Sequence, residues 1–132
     1  MKIKNAYCLV RDQPCYRRDA FHIGLKAAGY ALNVHVPQII APGDVLVIWN
    51  KYGENETLAK RFAAKGGLVL VAENGYLGFD KDGHQRYALA RHAHNGAGDW
   101  TVGGPERFEA LGIELQTWKY GRHIAIRGQR GI

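Results

Sequence analysis

Apolar positions in the first half of the chain follow two alternating rhythms. Residues 3–10 form a β-rich run, after which Phe21, Gly24, Leu25 and Ala28 recur at i, i+3, i+4 and i+7, the signature of one buried helix face. Gly29 closes that helix. Residues 31–36 read as a short second strand, and residues 37–43 as a connection ending in the turn pair Pro42 and Gly43. Residues 45–49 are all apolar, as expected of a strand covered on both faces of a parallel sheet. Glu54 and Glu56 then fall in the first turn of a second helix, where acidic groups favour the positive dipole end, and Leu58, Ala59, Phe62 and Ala63 supply its apolar face. Gly66 and Gly67 end it before a strand at residues 68–72.

The order strand, helix, strand, strand, helix, strand predicts an open, mostly parallel α/β sheet. One link is short for a parallel crossover. About seven residues separate the second and third strands; fully extended they reach ~25 Å, which predicts a loop or a single helical turn rather than a helix. The second half is looser, with 13 of the 17 glycines at or after Gly66. There, residues 87–92 read as a short helix, residues 105–111 as a second one with Pro in its first turn, and residues 123–127 as a last strand. No helix follows that strand, so another subunit, a shorter sheet or a further portion of chain is expected to cover it. The 132 residues carry no repeat or linker and read as one domain, 1–132, with about five strands.

Composition narrows the class. With 46% hydrophobic and 23% charged residues the chain is an ordinary folded domain, not a fibre or a disordered tail. Two cysteines do not make a disulfide scaffold, and no apolar run approaches the roughly 18 residues of a membrane span. A cytoplasmic protein without membrane contact is expected. The net charge of +6 suits nucleic acid, a phosphorylated ligand or simple solubility. Its bases concentrate at both ends, since residues after Glu114 include Lys119, Arg122, Arg127 and Arg130 and no acid.

In open α/β sheets, ligands bind beyond the carboxyl ends of the strands. Strand one leads here into Arg11, Arg17 and Arg18, strand three into Asn50, Lys51 and Tyr52, and strand four into Glu73, Asn74 and Tyr76. Read as three loops on one edge, these bring guanidinium, amide, carboxylate and phenol groups to one crevice; read blandly, they are turn-forming and solvated residues. Arg17 and Arg18 at a helix start suit a phosphate or carboxylate, or are two solvated arginines beside Asp19. The dinucleotide fingerprint and the phosphate-binding P-loop are both absent, and no arginine stands six residues after either cysteine, as a phosphatase loop would need. Cys15 near those arginines lacks a paired base. His92 and His94 could begin a metal site with Cys15 or Asp99, although two histidines at this spacing are weak evidence, and Asp80 to Gly83 reads first as a turn. No cofactor is implied.

Residues 92–104, HAHNGAGDWTVGG, combine four glycines with Asn95 and Trp100. Such a backbone can approach a ligand closely while the indole stacks on a sugar or base, or Trp100 plugs the core beneath. Together with LVIWNKY, VAENGYLG, YALARHAHNGAGDW, GGPERFEALGIEL and the final QRGI, this stretch resembles a group of phage and prophage proteins described as glycosyltransferase-like. The resemblance covers most of the chain in order. It implies a three-layer Rossmann-like half of a two-domain glycosyltransferase architecture, the half that mostly receives the acceptor. Carried over by position, it places Asn50, Tyr52, Glu73, Asn74, His94 and Asn95 around the crevice, with Glu73 or His94 as general base on an acceptor hydroxyl. Chains of that group continue past QRGI, so the resemblance implies that a donor-binding half lies outside these residues.

The leading expectation is therefore a glycosyltransferase-like domain that takes a sugar, a nucleotide sugar or a related anionic ligand. Catalysis by this chain alone stays open. The alternatives are a noncatalytic module for phage nucleic acid or a host protein, and a metal-dependent hydrolase using His92, His94 and Asp80 or Asp82. A homo-oligomer or a partner covering the last strand belongs to the same expectation.

Overall fold

A computed structural model describes residues 4–33, 35–94, 97–99 and 103–123. The chain divides into two units, residues 1–101 and 102–132. The first is a mixed α/β unit built on β1 (Lys4–Cys8), α1 (Arg18–Ala27), β2 (Tyr30–Asn33), β3 (Val45–Trp49), α2 (Glu54–Ala64), β4 (Leu68–Phe79) and β5 (Gln85–Arg91). Its five strands lie in the order β2-β1-β3-β4-β5, all parallel except the antiparallel β4–β5 pair.

Strand β3 is packed on both of its faces. Val45, Leu46, Val47 and Ile48 are all buried, and successive strand residues point to opposite faces. Val45 and Val47 pack with Ala6, Ala72 and the α1 residues Phe21 and Leu25. Leu46 and Ile48 pack with Tyr7, Val69, Val71 and the α2 residues Ala59 and Phe62. The chain moves from β1 to β2 in one direction across the sheet and from β3 to β4 in the other, the order in which the right-handed connection rule places successive helices on opposite faces.

The β2–β3 connection runs through residues 34–44 and contains no helix among its described residues. Asp44, 2% exposed, anchors its end. One carboxylate oxygen accepts the Asn5 main-chain N–H at 3.1 Å and the other accepts that of Ala41 at 3.0 Å. Ile40 from this loop joins the α2-side core. Burial, with the Asp44 charge adding to it, pushes the Tyr7 phenol up from its usual value.

Two sequence expectations are corrected. Residues 87–92 do not form a helix; residues through Arg91 belong to β5, which pairs with β4 from Gln85 opposite Phe79 to Arg91 opposite Leu70. The Ala and Leu residues there favour helix weakly, and the ladder to β4 overrides them. Likewise Glu73, Asn74 and Tyr76 are not loop residues, because β4 continues to Phe79 as one arm of a hairpin. A side chain at Gly75 would bring Cβ within 3.0 Å of the Arg86 carbonyl oxygen, and the register shifts between Asn74 and Phe79.

The two faces of β5 differ. On the α2 side the chain after Arg91 folds back, and a Cβ on Gly98 would lie 2.6 Å from that of Ala90, so glycine there serves close packing. On the α1 side a groove of about 310 Å³ runs between Phe21, Leu25 and Tyr30 and the strand residues Leu70, Tyr87 and Leu89. In the second unit, Pro105 precedes the short helix α3 (Glu106–Glu109). Leu115, Trp118 and Tyr120 beyond it are exposed. Of the expected strand at residues 123–127, all but His123 lies outside the described residues.

Candidate functional site

The sheet order reverses direction between β1 and β3, which makes the loops after these two strands the expected ligand crevice. After β3 the chain turns sharply. Asn50 takes φ +60° and Gly53 φ +56°, conformations that side-chain-bearing residues rarely adopt. The turn is tied down on both sides: Asn50 N–H donates to the Ala72 carbonyl at 2.8 Å, and the Asn55 amide donates back to the Trp49 and Asn50 carbonyls at 3.2 and 3.4 Å.

His94 closes on this turn from the far side of the sequence. The Lys51 main-chain N–H donates to His94 Nε2 at 2.7 Å, and the Lys51 ammonium donates to the His92 carbonyl. The Tyr52 ring stacks on the His94 imidazole with centroids 4.7 Å apart and planes 24° apart. Glu73 Oε1 lies 3.5 Å from the same Nε2. His92 itself holds φ +66°, a strained backbone of the kind that collects at functional sites. The structure thus gathers Asn50, Lys51, Tyr52, Glu73 and His94 on the α2 side of β3 and β4.

A ring nitrogen that accepts this N–H keeps its lone pair, which leaves Nδ1 as the place for the ring proton. The lone pair that a general base would use at Nε2 is committed to Lys51. Glu73 and His94 are each about a quarter exposed or less, which leaves a carboxylate beside a half-exposed aromatic stack. Tyr52 is 45% exposed. This arrangement can hold hydroxyl groups and stack on a ring face; with Glu54 and Glu56 opening α2, it offers little to a phosphate.

The other expected site residues are placed elsewhere. Asn74 follows Glu73 in the strand, faces the opposite side and pairs across from Tyr87. Arg17 sits at φ +49° before α1 and pairs with Asp19 at 3.0 Å, while Arg18 pairs with Asp12. The Asp19 carboxyl is held below its usual range by its hydrogen bond from Arg17. Both guanidinium groups are thus already engaged by carboxylates close in sequence. Arg11 is exposed. Asn95, Trp100 and the side chain of Tyr76 lie outside the described residues. Beneath the arginines, Tyr16, Trp49, Tyr87 and Phe21 form an edge-to-face and tilted aromatic cluster on the α1 side.

Among the described residues, the group whose ligand atoms come close enough to share a metal ion is Asp80, Asp82 and His84, and it includes neither His92 nor His94. Asp80 is spent on the hairpin turn: Oδ1 accepts the N–H groups of Asp82 and His84 at 2.9 and 2.8 Å, and Oδ2 lies 3.2 Å from His84 Nδ1. Cys8 is a poor nucleophile because burial pushes its thiol up.

Lys51 belongs to the polar end of strand three but is not among the ligand-binding residues expected from the sequence. It stands between Asn50 and Tyr52 and was visible as a polar strand end, but its contribution is a main-chain donor, which any residue carries. Asp44 and Asn55 were missed for a related reason: each acts on backbone groups brought near by folding. No protein-family model, no curated protein and no solved structure matches this chain, so the site rests on its own geometry.

Proposed function

We propose that this chain is a Rossmann-like, glycosyltransferase-like domain that binds a sugar-containing ligand over Tyr52, Glu73 and His94. The observation that carries the reading is the Tyr52–His94 stack beside the Glu73 carboxylate at the edge where the strand order reverses. A flat aromatic surface next to a carboxylate matches a sugar, which presents an apolar ring face and hydroxyl donors at its rim. Paired Arg17 and Arg18 favour the sugar portion over a bare phosphate as the recognised group. Isothermal titration against free sugars, nucleotides and nucleotide sugars tests this, with Tyr52→Ala expected to weaken binding by about tenfold. Absence of binding across the panel overturns it.

A second reading, a nucleic-acid module, draws on one observation. Trp118 and Tyr120 are 82% and 94% exposed in a stretch that also carries Lys119 and Arg122 and no acid, the combination that stacks bases and neutralises phosphates. Gel shifts with single-stranded oligonucleotides separate it from the first, since phosphate-driven binding falls steeply with salt.

A further inference from the structure

We propose that His94 is a proton-operated latch on the loop that carries Tyr52. The inference stands on one atom with two neighbours that demand opposite things of it. Nε2 of His94 lies 2.7 Å from the Lys51 N–H, which requires a lone pair on that nitrogen, and 3.5 Å from Glu73 Oε1, which can bond it only through a proton. The neutral ring serves Lys51. A protonated ring sets an N–H against the Lys51 N–H and turns toward the carboxylate.

The charged surroundings are these. Glu73 faces the ring from β4, with Oε1 3.5 Å from Nε2. The Lys51 ammonium, on the β3–α2 loop, bonds the His92 carbonyl. Glu56 on α2 is close enough to feel the Lys51 charge, and Tyr52 contributes its stacked ring. The loop turns through two positive-φ residues, Asn50 and Gly53. Protonation therefore unties the Lys51 main chain and turns the ring on which Tyr52 stacks toward Glu73. As regulation of the candidate site, this rests on the functional reading above: ligand is taken up in the neutral, latched state and released on acidification.

The experiment uses the free protein, so it does not depend on any ligand. Nitrogen NMR of the imidazoles reads the tautomer of His94, and amide hydrogen exchange, corrected for intrinsic rates, reads the protection of Lys51 from pH 8 to pH 5. The latch predicts a proton on Nδ1 at the upper pH and a loss of Lys51 protection of roughly tenfold between pH 8 and pH 5. His94→Gln keeps an acceptor but cannot titrate, and is expected to leave Lys51 protection independent of pH. Glu73→Gln is expected to move the loss to lower pH. A proton on Nε2 in the neutral wild-type ring, or Lys51 protection that is constant with pH, overturns the proposal. Titrating nucleotide sugars at both pH values then separates the two ideas, because failure to bind at either pH removes the ligand reading while the tautomer and exchange results still decide the latch.

Discussion

Two clusters of polar side chains follow β1 and β3, and they are built by different means. After β1 the contacts are local: Arg17 reaches Asp19 two residues on, and Arg18 reaches Asp12 six residues back. After β3 they are distant: Lys51 meets His94 across 43 residues. A charge paired with a neighbour in sequence is satisfied wherever the segment goes, so it says little about a ligand. A histidine brought across the sheet to a backbone N–H and stacked on a tyrosine exists only in the folded chain. Exposed pairs such as those of Arg17 and Arg18 are weak in water, whereas the His94 group is sheltered and constrained. The contrast makes the β3 side the better candidate site.

The comparison breaks or sharpens under four changes. The largest effect is expected from Phe62→Ala, which removes a fully buried ring touching Tyr7 in the core beneath the β3 side; a loss of about 3–5 kcal/mol in urea denaturation is predicted. Next, His94→Ala removes the acceptor of the Lys51 N–H and the face on which Tyr52 stacks. It is expected to cost about 1–2 kcal/mol and to raise exchange at Lys51 while leaving amides of α1 unchanged. Equal loosening around α1 would show that the two clusters are not independent.

The third change is in pH. Asp80 is held below the usual aspartate range, first by the His84 N–H and then by that of Asp82 and the His84 side chain. Its folded value lies below its unfolded one, so its contribution is complete above the ordinary aspartate range and disappears as pH falls through the folded value. Protection of the Asp82 and His84 amides is expected to fall only in that acid window, and Asp80→Ala to abolish the dependence. The smallest effect is expected from Arg17→Ala and Arg18→Ala, with no measurable shift in the urea midpoint and less than about twofold change in sugar binding. A tenfold loss of binding in either variant would reverse the ranking of the two clusters.

Much of the fold was readable along the chain. The five apolar residues of β3 stated that both faces of the sheet are covered, and the periodic apolar positions located α1 and α2 near their observed limits. Tyr52, Glu73 and His94 stand out in the sequence as candidates because they are polar side chains at strand ends and in a glycine-rich stretch, and the fold brings these three together. What they touch was not legible. β5 looked helical because Ala and Leu are compatible with either state until a partner strand is present, and β4 looked short because its hairpin arm is polar.

Local chemistry thus determined which segments bury apolar surface and in what order, since side-chain period and turn residues act within a few positions. Folding alone decided that the chain after β4 returns antiparallel, that Asp44 anchors the crossover to β1, and that a main-chain N–H of Lys51 meets one nitrogen of His94. The last two join groups 39 and 43 residues apart, and all three use backbone donors that every residue other than proline possesses and that leave no mark in the order of amino acids.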